Sequence, residues 1–224
     1  MDILTLLLIL GAFLITFCAS CYIKTNYNRY KKEIVTSGKT GYDVAREILD
    51  KNNLSHILIL EVPGELTDHY DPSKKVVKLS HDIYNEASIA AVSVAAHECG
   101  HALQDKDGYA FLKFRNTIVP LVNFSSKVGY LAIVIGIFFS LVDLIWVGIA
   151  FEMIILLFQL VTLPVEFDAS KRALNIIDEM HIVNKNELDG SKKMLTSAAL
   201  TYVAGVISTV MELLRLVLSI SRRR

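Results

Sequence analysis

The sequence predicts an α+β integral membrane protein, mostly helical, with a small three-stranded sheet beside a helix carrying an HExxH motif and three to four transmembrane helices. Three observations lead there. Hydrophobic residues make up 53% of the 224 residues, more than a soluble domain usually carries, and they are gathered into long tracts. Between the first two tracts lies a polar stretch with both helical and strand periodicity. Within that stretch stands His97-Glu98-Cys99-Gly100-His101.

Taken in order, residues 3–23 contain no charged side chain and are long enough to cross a bilayer as a helix. Only Met1 and Asp2 precede them, whereas a secretory signal normally begins with Lys or Arg, so residues 1–23 read as a retained anchor. Cys18-Ala19-Ser20-Cys21 is only a distant likeness of a lipoprotein cleavage site. Residues 24–117 form the polar domain. In it, residues 38–53 place Val44, Ala45, Ile48 and Leu49 at the spacing of a short amphipathic helix. Residues 56–62 read as a strand ended by Pro63-Gly64, and residues 66–70 and 75–80 as a hairpin turning at Asp71-Pro72-Ser73-Lys74. Strand 76–80 is the candidate sheet edge. An extended peptide can add to such an edge, although Lys74, Lys75 and Lys78 are equally consistent with edge protection. His69 and His81 flank the hairpin as solvent-facing or hydrogen-bonded histidines.

Residues 118–164 are expected to form a transmembrane hairpin, because the tract 128–165 is interrupted only by Asp143 and Glu152 and fits two crossings with a turn at 140–143. Glu152 must then face protein or water. Residues 165–193 supply a helix opened by Pro164, and a loop. Residues 194–224 form a C-terminal hydrophobic helix, membrane-spanning or interfacial, in which Glu212 and Arg215 are spaced to pair. Lys24, Arg29, Lys31 and Lys32 follow the first span, Lys171 and Arg172 follow the third, and the 140–143 turn has no basic residue. The positive-inside rule therefore places 24–117 and 164–193 on the cytoplasmic side. A net charge of zero and the lack of a basic patch interleaved with aromatics argue against a nucleic-acid partner. Three cysteines, two of them in the first span, give no disulfide framework.

The chemistry is concentrated in residues 87–104, which are uncharged except for Glu98 and suit a buried helix. Positions four apart share a helical face, so His97 and His101 can reach one Zn²⁺ while Glu98 stands beside its open coordination position. Burying a carboxylate among imidazoles is costly unless a cation compensates it; the blander reading is a pair of core histidines with a salt-bridged Glu. Cys99 points off the histidine face and reads as packing. Catalytic zinc takes three protein ligands. The extended metzincin pattern requires a glycine and a histidine where this chain has Gln104 and Asp107. The third ligand is instead sought in a separate helix after Pro164, with Glu166 as the choice and His181 as its rival. Asp168 is assigned to the outer shell, accepting a histidine N–H or pairing with Arg172 four residues on.

Five ordered stretches, TDHYDP (67–72), KVVKLS (75–80), SIAAVSVAAHECGHALQ (88–104), LVTLPVEFDAS (160–170) and AALTYVAG (198–205), resemble the YugP-like family of bacterial membrane zinc metallopeptidases. The resemblance is similar in logic to the glutamate-zincins such as the HtpX heat-shock protease. It implies metal binding by His97, His101 and Glu166 and catalysis by Glu98. Those proteins carry an Asp four residues after the ligand Glu; this chain has Ser170 there, so that role moves to Asp168 or is missing.

The expected activity is zinc-dependent peptide-bond hydrolysis with Glu98 as general base, in the bacterial plasma membrane, on a protein or peptide substrate associated with the lipid bilayer. Tyr202 is the candidate oxyanion donor, with His181 and Arg172 as alternatives. The alternative classes are a non-catalytic membrane scaffold with a structural zinc site and a zinc hydrolase of a non-peptide bond.

Overall fold

In the computed structural model, which describes residues 3–221, the order is α1 (Ile3–Tyr30), α2 (Gly41–Lys51), β1 (Leu58–Val62), β2 (His69–Asp71), β3 (Val76–Ser80), α3 (His81–Asn85), α4 (Ile89–Lys106), α5 (Ala110–Phe138), α6 (Val142–Glu179) and α7 (Lys185–Ser221). This is the mostly helical α+β membrane architecture expected, and α1, α5, α6 and α7 are each long and apolar enough to cross a bilayer. The chain divides into two units. One holds the apolar segments up to Ser20, Lys113–Pro164 and from Leu200 onward; the other holds Cys21–Leu112 and Val165–Ala199.

The second unit carries the histidine motif. Its α2 starts at a capping box: Thr40 Oγ1 accepts the Asp43 N–H at 3.2 Å, and the Asp43 carboxylate accepts the Thr40 N–H at 2.9 Å. The face Val44, Ala45, Ile48 and Leu49 is fully buried against α4, as the periodicity anticipates. Gly41 is dictated by this packing, because a Cβ there would lie 2.0 Å from the Ile83 carbonyl oxygen.

The three strands pair in the order β1-β3-β2, β1 parallel and β2 antiparallel to β3. The hairpin turn falls where anticipated, with Asp71 Oδ1 accepting the N–H groups of Ser73 and Lys74. The expected edge role of residues 76–80 is corrected. β3 is the central strand, with its main chain paired on both sides, and β1 and β2 are the edges. The second strand is also shorter than anticipated, since Leu66 takes a left-handed φ of 56° and the chain enters β2 only at His69. Asp68, just before it, accepts the Ser80 N–H at 2.6 Å and the Ser80 hydroxyl at 3.0 Å, tying the start of β2 to the end of β3 where α3 begins. The core of this unit gathers Tyr27 and Tyr30 of α1, the α2 face, Val77 and Leu79 of β3, the alanines of α4, Ala173 and Ile177 of α6, and Met194 and Leu195 of α7.

In the other unit α5 and α6 form the expected apolar hairpin. Its turn is centred on Ser140 at φ 56°, and the Leu141 N–H bonds the Gly136 carbonyl at 2.8 Å. The two helices pack closely at glycines. A Cβ on Gly129, Gly136 or Gly148 would fall 2.7, 2.6 or 2.4 Å from the side chains of Phe151, Ile145 and Ile133 respectively. Ile145, Ile149, Leu213, Leu216 and Ile220 make this unit's core, and Arg215 pairs with Glu212 as their spacing anticipates. Pro164 does not open a helix as expected; it lies inside the continuous α6, where its missing N–H removes one helical bond.

Substituting Gly41→Ala forces the α2 N-terminus off the Ile83 carbonyl, at a cost of about 1–3 kcal/mol for an overpacked site. The expected result is a clearly lowered Tm in detergent; an unchanged Tm contradicts the packing described.

Candidate metal centre

Helix α4 is built of small residues. Ala90, Ala91, Ala95, Ala96, Cys99, Gly100 and Ala102 are all buried, and Ser88 caps the helix by accepting the Ala91 N–H at 3.1 Å. Small side chains let neighbouring helices come close, and α6 comes close at Gly100. A Cβ on Gly100 would lie 2.6 Å from the carbonyl oxygen of Ala169. Glycine costs about 1 kcal/mol relative to alanine within a helix, and here it lets the α6 backbone lie directly on the motif.

That approach brings the candidate ligands together. Glu166 Oε2 lies 3.3 Å from His97 Nε2 and 3.6 Å from His101 Nε2. The three residues offer one donor atom each within 4.8 Å of one another, and the group could hold a metal ion. Glu166 and His101 are buried and His97 nearly so, with relative exposures of 3% and 8% for the first two. Glu98 is buried one residue beyond His97. Two imidazoles and a carboxylate are one of the donor sets of catalytic zinc sites, and they are turned toward one another rather than toward solvent, so the residues present fit Zn²⁺.

The remaining histidine nitrogens have partners of their own. Ser170 Oγ lies 3.2 Å from His97 Nδ1, so the hydroxyl at the place where the similar families carry Asp meets the imidazole directly. His101 Nδ1 lies 3.0 Å from Gln104 Oε1. Gln104 Nε2 donates to the Val165 carbonyl at 2.8 Å and to Asp168 Oδ2 at 2.9 Å. Arg172 Nε donates to that same Asp168 oxygen at 2.7 Å, the i,i+4 pair anticipated, and its Nη1 donates to Asp107. Asp168 therefore meets a ligand histidine through Gln104.

The charges follow from this burial. Burial pushes the Glu98 carboxyl above the usual carboxylate range, against the pull of His97 and His101, and the Glu166 and Asp68 carboxylates add to the rise. Burial works to lower His101, but its bond to Glu166 and the nearby Glu98 charge outweigh that and hold it above the ordinary imidazole value. Cys99 turns its Sγ toward the Ala45 carbonyl at 3.6 Å, and burial pushes its thiol up, as befits a packing residue.

Of the other residues considered, His69 and His81 are exposed, one bonded to the Thr67 carbonyl and one to Glu61. His181 sits in the turn after α6 at φ 52°, outside the metal-holding group. Arg172 is engaged by two carboxylates. Tyr202 lies on α7 in the other unit. The sequence reading had no role for Gly100 and saw Gln104 only as a departure from the metzincin pattern. The signal for Gln104 is a primary amide in an otherwise apolar buried helix, three residues after a ligand histidine, where it must find partners.

A membrane protein with a buried His/His/Glu cluster on two helices is thus the class defined by fold and site. The chain belongs to the family described as "Putative neutral zinc metallopeptidase", whose model matches residues 5–221. It is 44% identical over 215 residues, 96% of its own length and 96% of the relative's, to a Bacillus subtilis (strain 168) protein named "Putative membrane protease YugP". No solved structure matches the chain.

Gly100→Ala should lower both Tm and zinc affinity in spite of alanine's better helix propensity, because the new methyl pushes Ala169, and with it Glu166 and Ser170, away from the histidines. A raised Tm with unchanged zinc affinity contradicts the close approach.

Proposed function

We propose that this protein is a membrane-embedded zinc metalloendopeptidase in which His97, His101 and Glu166 hold the metal and Glu98 is the general base. The observation that carries this reading is the placement of a buried Glu98 next to three converging donors. Bound there, Zn²⁺ supplies Lewis acidity toward a substrate carbonyl and activation of water.

Glu98 provides the proton traffic. A carboxyl raised by burial is a better proton acceptor near neutral pH than an exposed one, so Glu98 takes the proton from attacking water and returns it to the leaving amine. Glu166 contributes the negative charge of the donor set, which leaves the two histidines neutral in the loaded site. Tyr202 is retained as the proposed oxyanion donor, to be tested by Tyr202→Phe: a loss in kcat with little change in KM supports that role. The substrate class is a protein or peptide associated with the bilayer, and the active site faces the cytoplasm, supported by the basic residues Lys24, Arg29, Lys31, Lys32, Lys171 and Arg172 that follow the first and third apolar tracts.

A structural zinc site is normally closed by four protein ligands. The donor group here has three among the described residues, and Asp168, a candidate fourth, is turned to Gln104 and Arg172. This favours catalysis over scaffolding.

Two measurements test the reading. Glu98→Gln should retain stoichiometric zinc while hydrolysis of casein or a peptide falls by at least about 10²–10⁴-fold, the typical contribution of a positioned acid–base group. Full activity in zinc-loaded E98Q contradicts it. Chelation should abolish hydrolysis in the wild type and added Zn²⁺ should restore it; hydrolysis that survives complete metal removal contradicts the assignment.

A further inference from the structure

We propose that Gln104 is a positioning residue that sets the tautomer of His101 and locks the Glu166 turn of α6 onto α4. The inference rests on the zinc reading above and concerns how the ligand residues are arranged for the metal. The Gln104 side chain is fully buried, so every partner of its amide lies within the protein. Two of those partners, the Val165 carbonyl and the Asp168 carboxylate oxygen that already receives Arg172 Nε–H, are acceptors. Only the NH₂ end of the amide can meet both.

The amide oxygen is thereby forced to face His101 Nδ1, 3.0 Å away. An amide oxygen cannot donate, so Nδ1 must carry the hydrogen. A neutral imidazole has one N–H, which leaves the lone pair on Nε2. Nε2 is the nitrogen that faces Glu166 Oε2 at 3.6 Å. Three hydrogen bonds, none of them to a metal, thus dictate the tautomer that coordination requires.

The second effect is on Glu166 itself. The Val165 carbonyl belongs to the peptide group that leads into Glu166, so a bond from an α4 side chain fixes the α6 backbone at the ligand. One residue holds two ligands at once. His97 differs, because its Nδ1 partner is the Ser170 hydroxyl, which can donate or accept and so imposes no tautomer. The donor set therefore has one imidazole set rigidly and one that adjusts.

The test compares zinc affinity in detergent for wild type and Gln104→Met, a substitution of similar volume without hydrogen bonds, with helix content followed by circular dichroism. It is paired with nitrogen-resolved NMR of ¹⁵N-histidine-labelled, zinc-loaded wild type. The expected results are zinc binding weakened about 10–100-fold in folded Q104M, the range typical for loss of an outer partner of a ligand histidine, and a protonated Nδ1 with metallated Nε2 on His101 in the wild type. Wild-type affinity in folded Q104M overturns the proposal and leaves the zinc reading standing. So does coordination of His101 through Nδ1, a result that stands even if Q104M fails to fold. Failure of the wild type itself to bind zinc overturns both.

Discussion

The structure around the candidate metal centre depends on one close approach, that of the α6 backbone to α4 at Gly100. A carbonyl oxygen can lie where a Gly100 Cβ would be only because no Cβ is there. At this separation the side chains of one α6 stretch, Glu166 to Ser170, reach both histidines of α4: Glu166 meets the two Nε2 atoms and Ser170 meets His97 Nδ1. A helix pair held apart by ordinary side chains, at about 8–10 Å between axes, would still touch but would have to reach these atoms with longer residues. Glycine inside the motif is thus part of the site's geometry, although it never touches a ligand.

The second constraint is electrostatic. Two carboxylates and two imidazoles are gathered together where two largely apolar helices meet. Unpaired, such groups cost several kcal/mol each. Three of the four have a defined counterpart: Glu166 meets the imidazoles, and the two Nδ1 atoms meet Ser170 and Gln104. A divalent cation at the convergence of the Nε2 atoms completes this balance and is what membership in a zinc metallopeptidase family leads one to expect. Glu98 and Glu166 stand in different places relative to the histidines. One lies opposite the histidines on another helix; the other lies beside them on their own.

Local features were the legible ones. The α2 face, the Asp71 turn, the apolar tracts and the Glu212–Arg215 pair all follow from spacing along one segment, and the structure has them. The histidine motif announces itself the same way. Glu166 was a choice, with His181 as its rival, made because a third ligand was needed and the metzincin place holds Asp107; the resemblance implied the same residue. What could not be read locally is what depends on pairing between distant segments. Strand order is such a property: Lys74, Lys75 and Lys78 suggested a protected edge, and the parallel pairing with β1 on one side and the antiparallel pairing with β2 on the other make β3 central. Pro164 marked a helix start by propensity, but the apolar helix before it simply continues through. Gln104 and Ser170 looked like departures from known patterns until their partners across the helix interface were in view.

The proposed site holds a single zinc ion between two imidazole nitrogens and one carboxylate. X-ray absorption at the zinc edge on the detergent-solubilised, zinc-loaded protein tests it most directly. The expected result is one zinc per chain with a first shell of nitrogen and oxygen at about 2.0–2.2 Å and imidazole scattering from two histidines, and loss of that signature in Glu166→Ala. A first shell containing sulfur, or a zinc environment that Glu166→Ala leaves untouched, would contradict it.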